Sequence, residues 1–89
     1  MVEAEVEIVN EKGLHARASA KLVQVASSFP CEVRLSYGGE EVDAKSILGL
    51  LLVGAPLGAT VLLRCEGPEE EPALGALRAL IANRFEEES

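Results

Sequence analysis

Val2-Glu3-Ala4-Glu5-Val6-Glu7-Ile8 alternates apolar and acidic residues without a break. A strand sends successive side chains to opposite faces, so this stretch reads as a strand with one apolar and one wet face. Asn10 to Leu14, with Gly13, reads as a loop. From Ala16 the spacing becomes helical, with Ala18, Leu22, Val25, Ala26 and Phe29 on one face, and Pro30 ends the helix. Cys31, Val33, Leu35 and Tyr37 then alternate with Glu32, Arg34 and Ser36, which predicts a second strand. Gly38-Gly39 suits a tight hairpin into a third, Glu40 to Asp43.

Ser46 has the place of an N-cap for a short apolar helix, Ile47 to Val53, closed by Gly54 and Pro56. Thr60 to Glu66 is a fourth strand with Val61, Leu63 and Cys65 inward. Glu69 to Glu71 suit the start of a last helix, whose period is marked by Leu74, Leu77, Leu80, Ile81 and Arg84. Glu86 to Ser89 are expected to fray, with Glu86 to Glu88 a solvated tail. The order βαββαβα predicts an α+β fold, an open-faced sandwich: a four-stranded antiparallel sheet with three helices on one face. On the wet face, Glu3, Glu5 and Glu7 are expected opposite Arg34 and Arg64.

The 89 residues make one domain, 1–89. Phe29, Tyr37 and Phe85 are the only aromatics, so the core is aliphatic. A net charge of −7 argues against nucleic acid as a partner. The charge is uneven: Lys12, Arg17 and Lys21 face only Glu11 between Val9 and Cys31. Glutamates interrupt the amino terminus where a signal peptide would be apolar, and Ile47 to Val53 is too short to cross a membrane. Cys31 and Cys65 are too few for a disulfide framework or a zinc site and read as small buried hydrophobes. These features predict a cytoplasmic monomer with reduced thiols, no metal and no cofactor.

The positive neighbourhood holds the single histidine, in Gly13-Leu14-His15-Ala16-Arg17. A helix start collects unpaired N–H groups and partial positive charge, which favour an anion such as phosphate. Imidazole, with an ordinary pKa of about 6.5, is neutral and nucleophilic near pH 7. His15 could accept a phosphoryl group, with the Ala16 and Arg17 N–H groups as its cradle and the Arg17 guanidinium as a charge-assisted donor. A lone histidine also reads as a structural or solvated residue. The 47–53 helix is apolar nearly all round. Either an aliphatic core absorbs it, or Ile47, Leu48 and Leu51 form an exposed docking patch with Ala20 and Gln24.

Two motifs, Gly13-Leu14-His15-Ala16-Arg17 and Val42-Asp43-Ala44-Lys45-Ser46-Ile47-Leu48-Gly49, stand at a telling separation. A third, Gly58-Ala59-Thr60-Val61, is followed by Glu66-Gly67 and the glutamate run. Over its whole length the chain resembles the HPr family, the histidine-containing phosphocarriers of the bacterial sugar phosphotransferase system. The resemblance implies that enzyme I, charged from phosphoenolpyruvate, phosphorylates His15 on Nδ1, with Arg17 as electrostatic partner, and that an enzyme IIA domain receives the group. It favours the docking reading of the leucine-rich helix. It also implies that a dedicated ATP-dependent HPr kinase/phosphorylase acts on Ser46 in those bacteria that have one. Such a dianion would sit acceptably at a helix start while placing negative charge beside the docking patch. Ala18 replaces the family's usual proline, Ser19 its alanine, and Gln24 and Ser27 its basic residues. The last two bear on partner attraction rather than on chemistry.

Three other functions are open to such a chain. One is a regulatory binding module acting through phospho-Ser46 as a corepressor. A second is a nitrogen-branch phosphorelay. The third, a small hydrolase, fares worst: no triad partner is evident, and no pair of carboxylates is placed beside His15.

Overall fold

The computed structural model describes residues 1–87. Four strands, β1 (Val2–Glu7), β2 (Glu32–Tyr37), β3 (Glu40–Asp43) and β4 (Thr60–Glu66), form one antiparallel sheet in the order β1-β4-β2-β3. Three helices, α1 (Ala16–Ser27), α2 (Ile47–Val53) and α3 (Glu70–Ala82), cover one face. The period-2 pattern sets the register. Ala4 pairs with Leu63, Leu63 with Leu35, and Leu35 with Val42, so one apolar row crosses all four strands. A slip of one residue would turn every glutamate of β1 inward, which is why the pairing is unambiguous.

Central β4 buries Val61, Leu63 and Cys65 completely, whereas Val2, Ala4 and Val6 on the edge strand are half-buried beneath α3. The hairpin glycines have φ of 60° and 84°, the two left-handed residues that a type I′ connection requires between paired Tyr37 and Glu40. The thiols lie inward. Burial, with the neighbouring Cys31 adding, pushes the Cys65 thiol up to about 11. It therefore stays protonated at neutral pH and behaves as a small hydrophobe.

Three details depart from the pattern reading. Helix α1 ends at Ser27, because the Ser28 hydroxyl and N–H turn back onto Val25 O; Phe29 follows outside the helix. The Lys45 ammonium then donates to Phe29 O at 2.8 Å and ties that turn to the β3–α2 connection. On the wet face only Glu3 reaches Arg64, at 3.5 Å, while Glu41 holds it at 3.1 Å and Arg34 pairs with Glu32. Glu5 and Glu7 stand opposite Leu62 and Thr60 instead.

The tail is the third and largest departure. Instead of fraying after α3, the chain makes one turn over Arg84–Glu86, with φ between 54° and 65° at all three residues. Left-handed backbone costs about 1–2 kcal/mol per non-glycine residue. It persists here because the turn drops Phe85 wholly into the core and presents Phe85 O to the Lys21 ammonium at 2.8 Å. Glu87 lies against the β1–α1 loop, so it is not a solvated tail residue. Glu88 and Ser89 lie outside the described residues.

The β1–α1 loop reaches its place through Gly13. Its φ is 64°, and a Cβ there would stand 2.5 Å from Ala55 O and 2.9 Å from the Pro56 Cα. Leu14 N–H donates to Ala55 O at 2.9 Å, and Leu14 is buried. Gly13→Ala should therefore destabilise the protein by at least about 1 kcal/mol in urea unfolding. Gly75, exposed on α3 with open space around it, should behave oppositely. Gly75→Ala should stabilise by about 0.5–1 kcal/mol in the same measurement.

Candidate functional site around His15

His15 is the N-cap of α1. Its backbone is extended, its carbonyl accepts from Ser19 N–H at 2.9 Å, and its ring Nδ1 accepts from Arg17 N–H at 3.3 Å. A backbone N–H can only donate, so Nδ1 presents a lone pair and the ring proton of neutral His15 sits on Nε2. That second nitrogen lies 2.6 Å from Glu87 Oε2. The other carboxylate oxygen of Glu87 accepts from Asn10 Nδ2 at 3.2 Å, and the same amide donates to Gly13 O at 2.9 Å. Asn10 is fully buried, which fixes the carboxylate from the protein side.

Burial alone would raise the Glu87 carboxyl. The hydrogen bonds from His15 and Asn10, with the Arg17 guanidinium nearby, overcome it and hold the group below the ordinary glutamate range. Arg17 and Ala16 are exposed. The Ala16 N–H, at the first helical position, has no acceptor within the helix. Both N–H groups expected to hold a phosphoryl group thus lie at the start of α1, that of Arg17 on Nδ1 itself.

Ser46 caps α2, its Oγ accepting from Gly49 N–H at 3.2 Å. Gly49 is close to Val42, where a Cβ would lie 3.1 Å from the Val42 Cβ, so α2 sits tightly on β3. Only Leu50 of α2 is fully buried. Ile47, Leu48 and Leu51 are 43%, 75% and 41% exposed, and Ala20 and Gln24 of α1 are exposed as well. The core is not wide enough to absorb a helix that is apolar all round. Leu52 and Leu57, which the pattern reading did not single out, extend the exposed aliphatic surface. The bond from Leu14 to Ala55 joins the His15 loop to the residues just past α2. Ser46 is at the opposite end of a seven-residue helix, about 10 Å long.

Asn10, Lys21, Phe85 and Glu87 were not among the sequence-derived candidates. The contact between His15 and Glu87 spans 72 residues, and no local pattern encodes it. The one signal was Phe85, an aromatic in an otherwise charged terminus. One carboxylate, that of Glu87, stands beside the histidine. No nucleophile completes a triad with it in the described contacts. Among the described residues, no cluster of three or more metal-ligating side chains occurs, and no helix is long and apolar enough to cross a membrane.

A carboxyl with a lowered folded-state value stabilises the fold above the ordinary glutamate range and loses that effect as pH falls through the lowered value. The Glu87 side-chain carbon resonance should therefore titrate with a midpoint below the ordinary 4.5. Phe85→Ala should cost about 3–4 kcal/mol in urea unfolding and return that midpoint to the ordinary range.

Known proteins match the chain over nearly its whole length. The family described as "PTS HPr component phosphorylation site" matches residues 2–83. The chain is 52% identical over 87 residues to the phosphocarrier protein HPr of Cupriavidus necator, covering 98% of each. It is 40% identical over 88 residues to the phosphocarrier protein NPr of Shewanella violacea, covering 99% of this chain and 97% of that one. The crystal structure of HPr-C-His from Thermoanaerobacter tengcongensis superposes with a TM-score of 0.96 at 43% identity over all of both chains. With the whole chain matched in sequence and in fold, the protein belongs to the HPr family of phosphocarriers of the phosphotransferase system.

Proposed function

We propose that His15 carries the phosphoryl group, taking it on Nδ1 from phosphorylated enzyme I and passing it to an enzyme IIA domain in sugar uptake. The observation that carries this reading is the Arg17 N–H bond to Nδ1, which identifies the ring nitrogen bearing the lone pair. That nitrogen faces the helix start, where the Ala16 and Arg17 N–H groups and the helix dipole favour the dianion once it arrives. The exposed Arg17 guanidinium steadies the group or swings aside as a partner closes. Small Ala16 leaves room for that approach. The protein is a covalent way-station in the cytoplasm rather than a catalyst with turnover of its own.

Ile47, Leu48 and Leu51, with Ala20 and Gln24, form the docking surface for enzyme I and enzyme IIA. Its aliphatic character supplies contact where Gln24 and Ser27 supply no charge. Ser46 is a regulatory phosphorylation site for an HPr kinase/phosphorylase. Because it lies at the far end of α2 from His15, its dianion acts by repelling an acidic partner from the patch rather than by touching the histidine. The greater identity to the HPr of C. necator than to the NPr of S. violacea supports sugar uptake over the nitrogen-related branch.

Incubation with enzyme I and phosphoenolpyruvate should give one acid-labile phosphate per chain, absent in His15→Ala; labelling of that variant at the wild-type rate would exclude His15. Leu48→Asn should raise the KM of enzyme I for this protein about tenfold. Its urea stability should stay within about 0.5 kcal/mol, since the side chain is largely in solvent. Ser46→Asp should raise the same KM while leaving labelling confined to His15, which steady-state phosphorylation would measure.

A further inference from the structure

We propose that Glu87 is a positioning residue for phosphoryl transfer, and that the turned carboxyl-terminal strap exists to hold its carboxylate on His15 Nε2. The inference rests on His15 being the phosphoryl acceptor. Glu87 lies beyond residues 2–83, the span shared with the family description.

Three anchors place this carboxylate. Phe85 is buried in the core, the Lys21 ammonium binds Phe85 O at 2.8 Å, and Asn10 Nδ2 donates to Glu87 Oε1 at 3.2 Å. Glu86, 3.6 Å from Lys21, is largely in solvent and anchors nothing. A turn with three left-handed residues, a core aromatic and a buried amide is a built device for delivering one side chain. The side chain delivered reaches the nitrogen opposite the one that reacts.

The chemistry explains what it does there. The Nδ1 lone pair forms the new N–P bond while the bond from phosphorus to the donor breaks, and the donor leaves with that electron pair. Nε2 keeps its proton throughout, so the ring becomes a phosphorylated imidazolium with a formal positive charge. Glu87 Oε2, 2.6 Å from Nε2, faces that charge as it develops and accepts from the same N–H before and after transfer. Without the carboxylate, Nε2–H loses its acceptor and the positive charge that develops on the ring goes unpaired, while Arg17 N–H still marks Nδ1 as the nitrogen with the lone pair. The carboxylate itself neither gains nor loses a proton.

The test compares full-length wild type, Glu87→Gln, Glu87→Ala and Glu86→Gln by ring 15N and Nε2–H spectra near neutral pH and by single-turnover transfer from phosphorylated enzyme I. In wild type the Nε2 proton should be visible and protected in both the free and the phosphorylated protein. In Glu87→Gln and Glu87→Ala it should broaden by exchange with solvent, and the Nε2 15N shift should move as that N–H loses its carboxylate acceptor. The maximal transfer rate should fall about tenfold with little change in the concentration of half-saturation, a loss of the size expected for an outer-shell carboxylate. Glu86→Gln, which removes a charge one residue earlier, should match wild type. Phe85 remains in every variant, so the amide spectra confirm an unchanged fold. Unchanged ring spectra and rates in both Glu87 variants would overturn the proposal, as would faster transfer in Glu87→Ala or equal slowing in Glu86→Gln. His15→Ala, run alongside, separates that failure from failure of the acceptor assignment: if it is labelled, His15 is not the acceptor, whatever Glu87 does.

Discussion

Gly13 can stand where it does only because it has no side chain. The β1–α1 loop presses its backbone onto Ala55 and Pro56 at a distance that excludes a Cβ. From that contact follow the burial of Leu14, the bond from Leu14 N–H to Ala55 O and the entry angle of α1. The histidine and the leucine-rich helix are thereby held in one rigid relation, although Ile47 lies 32 positions after His15 in the chain. A transfer site and the surface around it must keep a fixed geometry if a partner is to align a reacting phosphorus with a ring nitrogen. A backbone contact does this with less side-chain freedom than any pair of long side chains.

The site uses weak electrostatics deliberately arranged. In a chain with net charge −7, attraction of an anion falls to a helix start, one exposed guanidinium and a local surplus of lysine and arginine. A carrier must release what it binds, and a helix start with one guanidinium holds a phosphoryl group less firmly than a cluster of cations would. In the proposed reading the exposed leucines of α2 take over partner contact, and their non-directional contact suits a surface that meets more than one partner.

Much of the architecture was legible because the patterns are local. The alternation in β1, the glycine pair at the hairpin and the Ser46 cap each act within a few residues, and each appears in the structure where the pattern put it. The leucine-rich helix was legible only in part. Its residues state that it is apolar all round, but not how much of it an aliphatic core can take. The sheet and α1 left room for Leu50 alone.

The chain by itself determined the order of elements, the inward face of each strand, and a histidine at a helix start with an arginine beyond it, because those depend on periodicity and near neighbours. Only the tertiary structure decided what stands behind that histidine. Glu87 reads as one more solvated glutamate until Phe85 is packed into the core and Lys21 closes on its carbonyl. A contact across 72 residues is set by how whole elements pack, and charge patterning along the chain carries no record of it.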